Sequence, residues 1–384
     1  EPMVMVTQIL DDSIVGEEKH IANRNFKVLE LAEDGSKLVL YISSAMNTEN
    51  DAVYSPTRLF QEIVEGAGYP QPTSFLAQQN KRLIHDCMWD SWNYMADWQV
   101  KAMLHLIEKE NIDVVFSHFH NVDMQVHQFA KHLTDRPDNR LSHEEYVKML
   151  DDVYIQTDKY LGGFMHLLDE GWTIFIISDH GLVSSKYKKP ILGEAGGVNV
   201  PVMEELGFTV LKTDENGNKL REIDWSKTKA IAVREGHIYL NLKGRDPYGI
   251  VDPKDQYEVE EEIITALYGY KHEKTGHRVV SLALRNREAV LIGQGGPEAG
   301  DIYYTMAEGY NYDHADGLST TLGECNTSLS PTFIAAGKGI KENFETERVI
   351  RQVDFAATVA AIGGVRMPAQ CEGAPVYPIF TEEF

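Results

Sequence analysis

Two short acid–imidazole pairs and one separate histidine are the places where this chain could do chemistry. Asp123 and His127 stand four residues apart, Asp179 and His180 are neighbours in Ser178-Asp179-His180-Gly181, and His314 lies in Asp313-His314-Ala315-Asp316-Gly317. On a helix, the i, i+4 spacing sets Asp123 and His127 on one face, within reach of a single cation. Carboxylate oxygens with imidazole nitrogens suit Zn²⁺, Mn²⁺ or Fe, and suit Mg²⁺ less because imidazole is a poor ligand for it. Two such clusters at neighbouring strand ends would hold two metals about 3.5–4 Å apart, the clamp used for phosphoryl and sulfuryl displacement. Each part alone also fits a blander role. With 14 histidines in the chain an Asp-x-x-x-His pair arises easily by chance. Asp179-His180-Gly181 fits a helix cap and turn, and His314 between two aspartates fits a solvated loop. His118, His120 and His132 are expected to be supporting or structural. The weight therefore rests on the conjunction and on position at strand ends.

The elements that must position these residues show in the pattern of apolar side chains. Thr173-Ile174-Phe175-Ile176-Ile177 precedes Ser178 and is bounded by Gly171-Trp172. Such a run reads as a strand buried on both faces. Ligands of open α/β sheets bind beyond the carboxyl ends of the strands, where Asp179 and His180 stand. Residues 92–111 carry apolar side chains at helical spacing, 112–116 read as a short buried strand, and a second long helix starts at Ser142 with Glu145 completing a capping box. This strand–helix–strand order predicts a parallel sheet. Earlier, residues 26–31 and 37–42 read as a hairpin about Asp34-Gly35-Ser36, and residues 58–64 as a short helix. Residues 230–242, 279–284 and 289–292 read as strands and 258–267 as a helix, an α+β excursion. Residues 331–336 then return as a strand and 353–362 as a helix. The expected organisation is a covering or inserted segment at 1–85, an α/β metal-binding core at 86–200 and 310–384, and an inserted subdomain at 201–309.

Composition narrows the partners. With 36 Lys and Arg against 59 Asp and Glu, the formal net charge is −23. Such a surface repels nucleic-acid duplexes and anionic membranes, while a small phosphorylated substrate stays compatible through local cations or metals. Cys87, Cys325 and Cys371 are odd in number and far apart. A disulfide framework is not expected, and a reducing, cytoplasmic location is. No run approaches the roughly 20 apolar residues that span a bilayer.

Taken together, Ser178-Asp179-His180-Gly181, the upstream Asp123-x-x-x-His127, the downstream His314, the stretch Ser330-Pro331-Thr332-Phe333-Ile334-Ala335-Ala336-Gly337 and the closing Arg348-Val349-Ile350-Arg351-Gln352-Val353-Asp354 with Thr358 resemble the alkaline phosphatase superfamily. The branch they resemble is the type I phosphodiesterase/nucleotide pyrophosphatase group, over about residue 90 to the end. The resemblance implies an α/β three-layer sandwich with a mainly parallel central sheet, plus a smaller α+β inserted subdomain. It implies a hydrolase of phosphate mono- or diesters, or of related phosphonate or sulfate esters, working through two divalent metal ions, zinc or manganese. Asp123, His127 and His314 would hold one metal, and Asp179 and His180 the other.

The same resemblance calls for a further Asp at the end of a first strand and a Thr or Ser nucleophile bridging both metals, and neither is found. Thr73 in Pro70-Gln71-Pro72-Thr73 imitates a nucleophile loop, but no buried strand ending in Asp precedes it. The catalytic nucleophile is therefore unassigned, and the chain is expected to be the C-terminal portion of a longer enzyme whose N-terminal portion supplies it. Two other readings stand beside the hydrolase: a phosphomutase of the same superfamily, and a metal-binding module without catalysis. Substrate selection is expected in the insertions, residues 1–85 and about 185–310.

Overall fold

The computed structural model describes residues 4–11, 19–48, 56–70, 81–133, 141–182, 201–233, 236–307, 327–328 and 331–382. They fall into two units, residues 1–174 with 336–345 and 378–384, and residues 175–335 with 346–377.

The first unit opens with an antiparallel sheet in the order β1 (Val4–Asp11), β2 (Lys19–Leu31), β3 (Leu38–Ile42), with β4 (Met46–Asn47) paired to β2. The predicted hairpin turn joins β2 to β3. Asp34 Oδ1 accepts from Ser36 N and Oγ at 3.0 and 2.6 Å, and Gly35 takes φ +73°, a conformation that costs glycine nothing. One face of the sheet packs on helices. α1 (Thr57–Ala67) precedes α2 (Lys81–Leu83), which runs through a π-turn at Ile84–Met88 into α3 (Trp89–Lys109). Tyr41 of β3 meets Ile84, Cys87, Met88 and Trp92 in a core completed by Phe129, Tyr146 and Met149. Burial pushes the Cys87 thiol up to about 11, so it behaves there as a small apolar group. α4 (Asn121–Phe129) and α5 (His143–Gly162) complete the helical layer. The capping box is present as the spacing predicts: Ser142 Oγ accepts from Glu145 N at 3.2 Å, and Glu145 Oε2 accepts from Ser142 N at 2.7 Å. Gly171, at φ +88°, then turns the chain into β5 (Thr173–Ile177).

The second unit contains β6 (Gly181–Leu182), α6 (Pro201–Glu205), the hairpin β7 (Leu211–Thr213) and β8 (Lys219–Ile223), then β9 (Ala230–Val233), β10 (His237–Leu240), α7 (Gln256–Gly269), β11 (Val280–Arg285), α8 (Asn286–Ala289) and β12 (Ile302–Met306). β11, β12, β10 and β9 form an antiparallel sheet in that order. Ile263 and Leu267 of α7 share a core with Ile238, Leu240, Ile302 and Tyr304, and the buried members of that core all lie between Val202 and Met306. β13 (Thr327–Ser328) pairs with β6, and β14 (Phe333–Gly337) pairs with β5. α9 (Val353–Ile362) has the bounds the sequence predicts.

The content is α/β, but the pairings among the described strands are antiparallel. β5 and β14 follow suit: Thr173 Oγ1 donates to Lys338 O at 2.8 Å and Ser178 N to Thr332 O at 3.1 Å, so one strand advances as the other retreats. The expected parallel sheet is not among the described pairings. β5 is half-buried rather than buried on both faces. Residues 112–116, expected as a buried strand, have no ladder partner among the described residues, and Val114 and Phe116 are 68% and 79% exposed. An apolar run states what a strand would bury, but its partner is a non-local matter. Residues 289–292, expected as a strand, form the end of α8 and a 3₁₀ turn, because the Asn286-Arg287-Glu288-Ala289 start has already committed the chain to helix. Among the described residues no helix is long and apolar enough to cross a membrane.

Candidate metal centre

The Asp179–His180 pair sits where β5 ends, and three sets of hydrogen bonds fix that turn. Ser178 and Thr332 bond reciprocally, Ser178 N donating to Thr332 O at 3.1 Å and Thr332 N to Ser178 Oγ at 2.7 Å. Gln352, next to the first residue of α9, donates from Nε2 to Ser178 O at 3.3 Å and to Asp179 O at 2.7 Å. His180 N donates to Asp179 Oδ1 at 3.1 Å. The two side chains then differ sharply in exposure, Asp179 at 75% and His180 at 5%.

The tautomer of His180 follows from its neighbour. Nδ1 lies 2.9 Å from Gly181 O, and a carbonyl only accepts, so Nδ1 carries the hydrogen. In the neutral ring the lone pair is then on Nε2, which stands 3.7 Å from Asp179 Oδ2. Metal-ligating histidines characteristically donate their other ring N–H to a carbonyl or carboxylate, which fixes tautomer and ring plane. The donor separation is close to an edge of a tetrahedral zinc site, roughly 3.4 Å for bonds of about 2.1 Å. This pair fits one side of a divalent cation site.

Asp123 and His127 both fall on α4, as the spacing requires, so their positions share a helix face. Asp123 Oδ2 is 3.0 Å from His120 Nε2, so the predicted supporting histidine holds the candidate carboxylate. The preceding segment is docked on Tyr160, whose hydroxyl is 2.9 Å from Ser117 Oγ and whose ring stacks on Phe119 at 4.0 Å. His118 lies against His120 at 4.7 Å between ring centroids, and His132 stacks on Tyr146 at 4.8 Å. The opposite face of α4 is locked by buried amides. Asn121 Nδ2 donates to Trp92 O at 3.1 Å and to Gln156 Oε1 at 3.0 Å, and Gln156 Nε2 donates to Asn93 Oδ1 at 2.7 Å.

The His127 side chain, His314 and Thr73 lie outside the described residues. Among the described residues no three His, Cys, Asp or Glu side chains converge in a way that would hold a metal. The structure therefore brings Asp179 to His180 and sets Asp123 and His127 on one helix.

Sequence reasoning missed Gln352. It lies within the closing motif but reaches back 173 residues to Asp179, and no local signal announces that contact. The motif's other polar residues are structural. Asp354 is buried, with Oδ1 accepting from Ala374 N at 3.0 Å and Arg351 NH2 at 2.9 Å, and Oδ2 from Arg351 N at 3.1 Å. Burial raises its carboxyl, but these donors together hold it below the usual aspartate value. Thr358 Oγ1 donates to Asp354 O at 2.7 Å and accepts from Val376 N at 3.0 Å.

Comparison with curated proteins returned no match. Among solved structures, phosphonoacetate hydrolase from Sinorhizobium meliloti 1021 in complex with phosphonoacetate is similar at a TM-score of 0.32 and 16% identity, over 63% of this chain and 50% of that one. The chain thus spans about half the length of that structure, and the likeness is too loose to argue from. The family model described as type I phosphodiesterase / nucleotide pyrophosphatase matches residues 45–329, about three quarters of the chain. A match of that extent, over the segment that carries both acid–imidazole pairs, places the chain in the type I phosphodiesterase/nucleotide pyrophosphatase family.

Proposed function

We propose that this chain contributes to hydrolysis of a small phosphorylated substrate, as a phosphodiesterase- or phosphatase-type enzyme using two divalent cations, zinc or manganese. In this reading the core is an alkaline-phosphatase-like three-layer sandwich with a mainly parallel sheet. Asp179 and His180 hold one cation, and Asp123, His127 and His314 the other. The observation that carries the reading is His180, a buried imidazole whose proton is fixed on Nδ1 by Gly181 O beside the exposed Asp179 carboxylate, in a chain of this family. Bound cations would polarise a phosphoryl oxygen and offset the charge that develops on it. The chain's own residues do the positioning. Gln352 and Thr332 hold the turn that presents Asp179 and His180, while His120 and the amides of α3 to α5 hold α4.

The test combines elemental analysis with turnover of p-nitrophenyl phosphate and bis-p-nitrophenyl phosphate in Mn²⁺ or Zn²⁺. Stoichiometric metal with hydrolysis of either ester supports the reading. No metal retained by the chain, or metal unchanged in Asp123→Ala, Asp179→Asn and His314→Ala, overturns the site. A second reading is favoured by the lack of an assigned nucleophile: tight metal without turnover of these esters or isomerisation of a sugar phosphate marks a metal-binding module. Isomerisation alone marks a phosphomutase.

A further inference from the structure

β3 is apolar at every position, Leu38-Val39-Leu40-Tyr41-Ile42, the pattern of a strand covered on both faces. Among the described residues only one face is covered: Tyr41 is 8% exposed, whereas Leu38, Leu40 and Ile42 are 56%, 41% and 50% exposed. The register carries the bare face across the sheet. Ile42 pairs with Phe26 and Phe26 with Val4, Leu40 pairs with Val28, and beyond the bulge Leu38 pairs with Leu31. Residues opposite one another point to the same side. Val4, Val6, Leu31, Leu38, Leu40 and Ile42, all exposed, therefore share one continuous apolar surface over β1, β2 and β3.

We propose that this face joins two copies of the chain, sheet against sheet, about a twofold axis. Size and shape select that occupant. The six side chains expose roughly 500 Å² of apolar surface, near the upper end of what a monomer shows in one patch. Two copies then cover roughly 1,000 Å², the lower limit for a specific interface before any contribution from the rim. Lys37 Nζ lies 2.6 Å from Glu30 Oε1, whereas Arg24, opposite Val6 at the edge of the face, donates NH1 to Ser43 O at 2.9 Å and leaves its buried Nε without an acceptor among the described residues. Two twisted sheets pack face to face about 10 Å apart with strands within about 30° of each other, and a self-complementary patch closes as a dimer without extending further.

Sedimentation velocity and light scattering of the full chain at micromolar concentration test this. The expected species has twice the chain mass. Leu40→Glu and Ile42→Lys each give a species of single-chain mass with an unchanged circular dichroism spectrum, because both side chains already face water in one copy. Leu220→Glu, exposed on β8, leaves the dimer intact. Should one face variant unfold, the other carries the decision. Wild-type chain at single mass, as when another part of the same polypeptide covers the face, overturns the proposal. So does a dimer that survives both Leu40→Glu and Ile42→Lys, or one that Leu220→Glu dissociates equally.

Discussion

A neutral imidazole presents one lone pair, and at His180 the backbone decides which nitrogen has it. Gly181 O draws the proton to Nδ1, Gln352 and Thr332 hold Ser178 and Asp179, and the pairing of Gly181 with Ser328 holds that carbonyl's strand. Asp179→Asn keeps the shape of the turn but removes the charge, so metal affinity at this site falls by at least tenfold, read by titration calorimetry with Zn²⁺ or Mn²⁺. Gln352→Met keeps the bulk and loses the donor. Because Gln352 is exposed, thermal stability changes little, while metal affinity falls by about 10-fold, in the range seen when outer partners of ligands are removed. Unchanged affinity with Gln352→Met would show that the turn holds its shape without the amide. The pair itself was legible in the sequence because an acid and an imidazole follow an apolar run. Gln352 was not, because a contact across 173 residues leaves no trace in local spacing.

At the scale of elements, α4 and α9 show two ways of fixing a helix. α4 is held on one face by Asn121, Gln125 and Gln156, all buried, while Asp123 and His127 occupy positions on the other. A buried amide network specifies one rotation of the helix only while each member has its partner. Gln156→Leu strands one Asn121 amide hydrogen, the other staying on Trp92 O, and costs about 1–3 kcal/mol in urea unfolding, whereas replacing Asn121, Gln125 and Gln156 together by leucine recovers most of that loss. A single variant as stable as wild type would remove the network from the account of α4. α9 is anchored by Asp354, whose folded carboxyl is lowered by the Ala374 and Arg351 donors against the cost of burial. A lowered acid adds stability that is fully present above its unfolded value, near 3.8, and is lost as pH falls through the lowered folded value. Asp354→Asn therefore flattens the acid limb of the stability profile below pH 4 or so, measured by thermal melts across pH. An acid limb of unchanged slope would assign that loss to other carboxylates. The capping box at Ser142, the helix at 353–362 and the hairpin about Gly35 were all legible, since each is written within a few residues.

For the whole molecule, the excess of acids matters more than any one ion pair. Self-repulsion at a formal net charge of −23 weakens the compact state, and salt screens it over a Debye length of about 8–10 Å near physiological strength. Tm is expected to rise between low and physiological NaCl. A fall would mean that paired ions, such as Arg245 with Asp301 at 2.7 Å, outweigh the repulsion. The apolar core formed by residues 202–306 does not depend on that charge, and Leu267→Ala there costs about 2–5 kcal/mol by denaturant unfolding.

The sequence by itself supplied the candidate side chains for a cation, the apolar runs, the starts of several helices, and the family resemblance that the match over residues 45–329 bears out. Those properties are local, set by residue type and by spacing over a turn or a strand. Tertiary structure alone decided that β5 pairs antiparallel with β14 and that residues 112–116 take no ladder partner among the described residues. It also decided that His180 is buried beside an exposed Asp179, that Gln352 closes their turn, and that β3 leaves one apolar face bare among the described residues. Each of these depends on which distant segment comes to lie alongside, and an apolar pattern specifies that a face must be covered without specifying by what.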